Sequence, residues 1–136
     1  MMLDIDHFKS INDAHGHAVG DQVLRQFAST LQDQLHNDEL LARLGGEEFV
    51  VMLPGLAPER AAFTAERLRR AIQDLQVVQA DQRLQITVSI GVAGCNANMP
   101  APGLEELLAS ADQALYRAKA HGRNRVEQAE AQRLVI

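Results

Sequence analysis

The pentapeptide GGEEF at residues 45–49 lies between two short apolar runs, at 40–44 and 49–53. Glycine adopts positive φ angles without a clash at Cβ. A glycine pair between two strand-like runs therefore predicts a β-hairpin whose turn carries the two acids. The centre of the fold is expected to be a hairpin with Glu47 and Glu48 at its tip.

The segment before the hairpin predicts one strand and two helices. Residues 1–3 are apolar and predict the end of a buried strand. A short helix is expected over 8–14, followed by a polar loop that ends near Gly20. A longer helix is expected over 21–35. Its apolar residues recur at helical spacing, namely Val23, Leu24, Phe27, Leu31 and Leu35.

The segment after the hairpin predicts two more helices and two more strands. A proline opens a helix expected over 58–75, since proline is favoured in the first turn. Apolar and polar residues alternate over 84–92, which predicts a strand with one buried face. A third long helix is expected over 104–121, and Gly122 is its expected stop. Residues 125–127 predict a short edge strand.

This order of elements predicts an α/β fold. Strands separated by helices, with one hairpin, fit a sandwich of ferredoxin-like type in which helices flank a central mixed sheet. The first strand and the first hairpin strand then run parallel, so the end of the first strand and the hairpin turn share one edge. Asp4 and Asp6 are therefore expected near Glu47 and Glu48.

Composition excludes several classes of protein. The chain has 136 residues, 46% of them apolar and 23% charged, which is typical of one globular domain and unlike a disordered or collagen-like chain. No apolar run approaches the roughly 18 residues that a membrane span needs. A net charge of −5 and an aromatic content of 4% argue against nucleic acid as a partner.

The chain is expected to be cytoplasmic. Its first ten residues carry acids where a signal peptide needs an apolar stretch. The single cysteine, Cys95, cannot form an internal disulfide and is read as a small apolar filler in a reducing compartment.

The acids at the sheet edge predict a metal-dependent reaction on phosphate. Neighbouring carboxylates repel each other, and a divalent cation is the natural compensation. Mg²⁺ usually takes one or two carboxylates together with substrate phosphates, and nothing in the chain selects it over Mn²⁺. Lys9, Lys119 and Arg123 could neutralise phosphate oxygens. Acids for metal and cations for phosphate together indicate phosphoryl or nucleotidyl transfer.

The motifs also carry a family resemblance. GGEEF is a form of the GGDEF motif, and the chain resembles the catalytic domain of diguanylate cyclases, which condense two GTP into cyclic di-GMP. Three further segments support the resemblance: DIDHFKSINDAHGHAVGDQVL at 4–24, VSIGVA at 88–93 and ADQALYRAKAHGRNRV at 111–126. It covers the chain to about Val126 and implies the palm-type sandwich of nucleotidyl cyclases.

The resemblance implies a metal site and a catalytic base. Asp4 looks like the metal-binding carboxylate at the end of the first strand, and Ile5 would offer its backbone carbonyl to the same ion. Glu47 is similar to the second metal ligand, which also accepts the proton of the attacking 3′-hydroxyl. Glu48 would support the metal site, and Lys9 would stabilise charge on the transferring phosphate.

The resemblance also implies a guanine site. Asn12 and Asp21 resemble the residues that read guanine, because a carboxylate can accept from the guanine N1–H and N2–H groups that adenine lacks. His17 lies between them at a substrate-contacting position.

Phosphate binding and assembly follow from the same resemblance. Gly45 and Gly46 would let the backbone approach the triphosphate, and Lys119 and Arg123 would hold its terminal phosphates. Each domain would bind one GTP. Two domains must face each other so that each hydroxyl attacks the other's α-phosphate, which implies a two-fold homodimer.

Simpler structural roles for these residues remain open. The alternatives are helix caps for Asp4, Asp6 and Asp21, a local turn for Asn12, an ordinary hairpin turn for the glycine pair, and helix-terminal charges for Lys119 and Arg123. The remaining histidines show no metal-binding spacing and are read as surface residues: His7, His15, His36 and His121.

Two departures from the family pattern bear on function. The family domain normally starts further upstream, with a D-x-L-T-G-L-x-N-R segment and a helix that covers one sheet face. The chain is therefore expected to be one domain over 1–130 without that helix, followed by a tail at 131–136. An R-x-x-D product-inhibition site is also unmatched, because His36 and Glu39 stand at its positions.

Three functions follow as hypotheses. The first is a metal-dependent diguanylate cyclase, and the second is a GTP-binding module without turnover. The third is a structural dimerisation domain, which a costly cluster of acids disfavours. No sensory domain is recognised in the sequence, so the input signal and the upstream regulatory partner are not visible.

Overall fold

The computed structural model describes residues 1–130. These residues form four helices and seven strands, and the strands make up two sheets. The elements in chain order are β1 (Met2–Ile5), α1 (Phe8–His15), α2 (His17–Gln34), β2 (Leu40–Gly45), β3 (Glu48–Met52), α3 (Pro58–Asp74), β4 (Gln76–Gln79), β5 (Gln82–Gln85), β6 (Val88–Val92), α4 (Leu104–Ala120) and β7 (Val126–Gln128).

The main sheet has the strand order β2-β3-β1-β6-β7. The central strand β1 pairs antiparallel with both β3 and β6, and β7 pairs parallel with β6. Since β2 is antiparallel to β3, it runs in the direction of β1, as the sequence predicts. The end of β1 and the hairpin turn therefore share one edge, and Asp4 lies opposite Glu48 in the register.

The sheet is covered by helices on both faces. On one face, Leu3, Phe49 and Ile90 belong to a buried cluster that contains the apolar residues of α2 and α3. On the other face, Met2 and Val50 pack against α4. This arrangement confirms the predicted α/β sandwich with a mixed sheet between helices.

The alternation over 88–92 does not mark a strand with one solvent face. All five residues of β6 are buried, including Ser89 and Gly91, because β6 lies between α3 and α4. A Cβ at Gly91 would collide with the backbone of α4 at Ala111 and Leu115. The small residue at position 91 is therefore what lets the helix lie directly on the sheet.

The second helix begins earlier than predicted. Gly16 alone separates α1 from α2, which starts at His17, and no polar loop extends to Gly20. Gly20 and Asp21 lie inside the helix, and the N-cap is Gly16. The alternative in which Asp21 caps this helix is therefore wrong.

The strand predicted over 84–92 is two strands in different sheets. β5 pairs with β4 in a separate two-stranded sheet, and β6 begins at Val88 in the main sheet. β4, which was not predicted, follows α3 directly. Alternation continues through the break at Ile86 and Thr87, so hydrophobic periodicity alone could not show that the chain changes sheets.

The other predicted elements begin and end within two residues of the observed bounds. The tail predicted at 131–136 lies outside the described residues. Within residues 1–130, no helix is long and apolar enough to cross a membrane.

Candidate active site

The hairpin turn presents its acids on a backbone that glycine makes possible. Gly46 has φ 51°, and the register between β2 and β3 shifts between Arg43 and Gly45. The Arg43 Nε–H donates to the Gly46 carbonyl oxygen at 3.0 Å, which ties the turn to its own strand. A Cβ at Gly45 or Gly46 would meet nothing within 4 Å, so the space in front of the turn is open.

The aromatic residue that ends the motif anchors the hairpin in the core. Phe49 is 3% exposed, and its ring lies 4.9 Å from the ring of Phe27 on α2 at an interplanar angle of 53°. Tilted aromatic pairs at this distance stabilise beyond their buried area. The two turn acids are therefore followed directly by a residue, Phe49, that is packed against α2.

The sheet brings the first-strand acid to the turn acids, as predicted. The Ile5 amide donates to the Glu47 carbonyl oxygen at 3.3 Å, one step beyond the pairing of Asp4 with Glu48. Glu47 is half-buried and Glu48 is exposed. The side chain of Asp4 and the backbone of Ile5 thus lie at the same edge as the side chain of Glu47.

Asp4 is buried and paired with a cation from the opposite end of the chain. The Lys119 Nζ lies 2.7 Å from Asp4 Oδ2, and the Asp4 side chain is 6% exposed. Burial raises the pKa of the Asp4 carboxyl, Lys119 lowers it, and Glu47 and Glu48 raise it again. Lys119 is therefore the compensating charge at this edge.

Asp6 does not join the other acids as a free carboxylate. It is 4% exposed and accepts hydrogen bonds from the Thr87 hydroxyl at 2.7 Å, the Ser89 hydroxyl at 2.6 Å and the Asn124 amide at 3.0 Å. No group of three or more His, Cys, Asp or Glu side chains that could hold a metal ion occurs within residues 1–130. The expectation of a four-acid cluster is therefore wrong.

The two helices after β1 place the predicted guanine-binding residues together. Asn12 on α1 packs its Oδ1 against Gly20 on α2, next to Asp21. That Oδ1 is buried and has no hydrogen-bond partner among the described residues. Asp21 and His17 are exposed on the first turns of α2.

A helix cap explains neither of the first-strand acids. The N-cap of α1 is His7, and no side chain caps this helix. Asp4 pairs with Lys119, and Asp6 binds donors on β6 and near β7. The capping alternatives for these acids are therefore excluded.

The cations predicted for phosphate come from two separate elements. Lys9 is exposed on the first turn of α1. Lys119 lies in the last turn of α4, and Arg123 follows in the exposed loop after the predicted stop at Gly122, whose φ is 119°. Because Lys119 contacts Asp4, this end of α4 reaches the acidic edge.

A large apolar cavity lies at the other end of the sheet. Its volume is about 540 Å³, and its walls include Met1, Leu53, Cys95 and Leu108. These residues flank the start of β1 and the ends of β3 and β6, whereas Asp4 and the hairpin turn lie at the opposite strand ends. The cavity is therefore separate from the acidic edge, and Cys95 lines its wall, half-buried.

The network around Asp6 is not among the predicted contacts. The alternation over 84–92 assigns Thr87 and Ser89 only to the polar half of a strand, and the family resemblance includes Asn124 only within the segment 111–126. A buried hydroxyl residue in an otherwise apolar strand was the available signal, since buried polar groups need partners.

Comparison with known proteins agrees with this geometry. Residues 1–125 match the family model described as diguanylate cyclase, GGDEF domain. The chain is 40% identical over 126 residues to diguanylate cyclase A of Treponema denticola, covering 93% of this chain and 33% of that protein. It is 45% identical over 126 residues to diguanylate cyclase DgcP of Pseudomonas aeruginosa, covering 93% of this chain and 18% of that protein.

A solved structure shows the same fold. The GGDEF domain of DgcB from Caulobacter crescentus, in complex with c-di-GMP, is 38% identical with a TM-score of 0.85. The match covers 96% of this chain and 76% of that one. The chain spans about a third or less of the length of the two curated relatives above. With its family model matched over 1–125, the chain belongs to the GGDEF-domain family of diguanylate cyclases.

Proposed function

We propose that this domain is a diguanylate cyclase that condenses two GTP into cyclic di-GMP and releases diphosphate. The observation that carries the proposal is that the open Gly46–Glu47 turn lies at one sheet edge with the buried Asp4 and its partner Lys119. Metal-binding carboxylates and a phosphate-binding cation are the two requirements of nucleotidyl transfer.

The donor set at this edge fits a hard divalent cation. Asp4 and Glu47 supply carboxylate oxygens, Ile5 supplies a backbone carbonyl, and Glu48 supports them. Two carboxylates with room for phosphate oxygens and water is the coordination that Mg²⁺ prefers, and Mn²⁺ accepts the same ligands. When bound, the ion supplies charge neutralisation at the α-phosphate.

The chain's own residues complete the reaction. Glu47 accepts the proton of the attacking 3′-hydroxyl, and Lys9 stabilises charge that develops on the transferring phosphate. Lys119 and Arg123 hold the terminal phosphates, which leave as diphosphate. The open space before Gly45 and Gly46 lets the triphosphate approach the backbone of the turn.

Guanine is selected between α1 and α2. The Asp21 carboxylate accepts from N1–H and N2–H of the base. The Asn12 side chain lies beside it on α1, with its Oδ1 buried against Gly20. His17 contacts the substrate from the start of α2.

Catalysis takes place between two copies. One domain has one guanine site and one turn, and the product contains two phosphodiester bonds. A two-fold homodimer places each 3′-hydroxyl against the partner's α-phosphate. The second hypothesis, a GTP-binding module without turnover, becomes an outcome of the test below.

Because the product-inhibition motif is unmatched, bound cyclic di-GMP is not expected to slow turnover through positions 36 and 39. Glu39 Oε2 accepts from the His36 amide at 2.8 Å, so Glu39 closes a local turn before β2. Neither residue offers the guanidinium that would grip product phosphates.

Product analysis after incubation with GTP and Mg²⁺ tests the proposal. The wild-type chain is expected to form cyclic di-GMP, and Glu47→Gln to lose about 100-fold or more of that rate. Glu59→Gln on α3 changes an acid away from the edge and should leave the rate unchanged. GTP binding without product would assign the binding module, and a folded chain that neither binds GTP nor forms product would contradict both.

A further inference from the structure

The loop between α4 and β7 has a backbone that must be held in place. Arg123 and Asn124 are consecutive non-glycine residues with φ values of 64° and 45°. The left-handed region is unfavourable for arginine and is adopted more readily by asparagine. The conformation of Arg123 is therefore expected to depend on the contacts that hold its neighbours.

Three side chains hold Asn124: Asp6 after β1, and Arg69 and Gln73 on α3. Gln73 Oε1 accepts from Asn124 Nδ2 at 3.4 Å. Asp6 Oδ2 accepts from the Asn124 backbone amide at 3.0 Å, and Arg69 Nη1 donates to Asn124 Oδ1 at 2.8 Å. Arg69 is itself fixed by Glu66 through two hydrogen bonds of 2.9 and 2.6 Å. Both the backbone and the side chain of Asn124 are thus anchored.

The Asp6 anchor is rigid because its carboxylate is bonded on both oxygens. Ser89 donates to Oδ1, and Thr87 and Asn124 donate to Oδ2. Asp6 follows β1 and is 4% exposed, so the loop is tied to the strand end that also carries Asp4. On its other side, the Arg123 amide donates to the Ala118 carbonyl oxygen at 2.9 Å.

We propose that Asp6, Arg69 and Asn124 form a clamp that positions Arg123 for the nucleotide phosphates. The clamp residues are positioning residues, because they act through Arg123 and do not touch the substrate. This inference rests on the proposed function, which gives Arg123 its phosphate. It assigns to Asp6 a role other than that of a metal ligand, although Asp6 lies only two residues from Asp4.

Affinities for two guanine nucleotides separate positioning from general stability. The probes are α,β-methylene-GTP, which cannot release diphosphate, and GMP, which lacks the terminal phosphates. Arg69→Gln removes one anchor and leaves Asp6 in place, and Asn124→Ala removes the hydrogen bonds of the Asn124 side chain to Arg69 and Gln73. Arg70→Gln is the matched control, since Arg70 also pairs with Glu66 but is 72% exposed and makes no hydrogen bond or ion pair with Asn124 among the described residues.

The expected result is a loss of about fivefold or more in affinity for α,β-methylene-GTP in Arg69→Gln and Asn124→Ala. GMP affinity should be unchanged, and Arg70→Gln should match the wild type for both probes. In an Arg123→Ala background, Arg69→Gln should cause no further loss, because the clamp acts only through Arg123.

Equal losses for the two nucleotides, or losses that add to that of Arg123→Ala, would overturn the clamp. So would an Arg69→Gln protein that binds both probes as the wild type does. If this edge does not bind nucleotide at all, the folded wild-type chain binds neither probe, which is a different result. If the chain binds GTP without turnover, the product analysis shows it and the two affinities still test the clamp.

Discussion

Removal of the Lys119 ammonium should destabilise the protein in a pH-dependent way. The perturbation is Lys119→Met, which keeps an unbranched side chain and removes the charge that lies 2.7 Å from Asp4 Oδ2. The variant leaves a buried carboxylate without its counter-ion. Uncompensated burial of a charge is the mechanism by which breaking an ion pair becomes costly.

The magnitude follows from the unequal exposure of the two partners. Breaking a fully buried pair costs about 3–5 kcal/mol, whereas an exposed pair contributes about 0–1 kcal/mol. The Asp4 side chain is 6% exposed and that of Lys119 is 34% exposed, so solvent screens the lysine but hardly reaches the carboxylate. We expect a loss of about 2 kcal/mol in the free energy of unfolding at pH 7.5, between those limits.

The sign of the pH dependence follows from the opposing influences on Asp4. Burial raises the pKa of the Asp4 carboxyl and Lys119 lowers it, so the pKa rises further in the variant. The folded variant then binds a proton more tightly than the folded wild type. The stability difference is therefore largest well above the Asp4 pKa and shrinks as the pH falls through it.

Urea unfolding of the wild type and the variant from pH 7.5 to pH 4.5 measures this difference. Asp4→Asn provides the second arm of a double-mutant cycle, because Lys119→Met should cost little once the carboxylate is gone. A cost that is equal at both ends of the pH range, or that persists in the Asp4→Asn background, would show that the unpaired Asp4 carboxylate is not the cause of the destabilisation.

Two further predictions concern the glycines and the product. Gly46→Ala should lower the free energy of unfolding in urea by about 1 kcal/mol, because only its φ of 51° opposes a Cβ. Gly91→Ala should lower it by about 3 kcal/mol, because the added Cβ would force α4 to move. Equal losses for the two variants would contradict this difference. Added cyclic di-GMP should leave the initial rate of GTP turnover unchanged, since His36 and Glu39 do not supply the product-binding arginine; inhibition that disappears in His36→Ala would show that the position still binds product.

The sheet edge was predictable because its geometry follows from element order. Once the first strand is placed in the sheet of the hairpin and runs parallel to the first hairpin strand, its end lies beside the hairpin turn, whatever the side chains are. The pairing of Asp4 with Glu48 is this rule in its local form. The glycine pair was also predictable, because the positive φ of Gly46 is a local requirement.

The partners of the buried acids were not predictable from sequence. Asp4 and Lys119 are 115 positions apart, and Asp6 lies 81 to 118 positions from its three donors. An Asp-x-Asp pair looks like two equivalent carboxylates when only spacing is considered. The tertiary structure distinguishes them. The Asp4 carboxylate pairs with Lys119 of α4 at the edge, whereas the Asp6 carboxylate accepts hydrogen bonds from hydroxyl and amide donors.

Local signals also misplaced two boundaries. Asp21 follows a glycine and precedes an apolar helical pattern, which is typical of a cap, yet the turn is made one residue before His17. The alternating run over 84–92 continues through a change of sheet, because both sheets require the same period of two.

A crystal structure of the chain with α,β-methylene-GTP and Mg²⁺ would show both the metal site and the nucleotide site. We expect an ion at about 2.0–2.1 Å from oxygens of Asp4, Ile5 and Glu47, with the triphosphate before the Gly45–Gly46 backbone. We also expect guanine between Asn12 and Asp21. A nucleotide bound elsewhere, or an ion held by Asp6 in place of Asp4, would contradict these expectations.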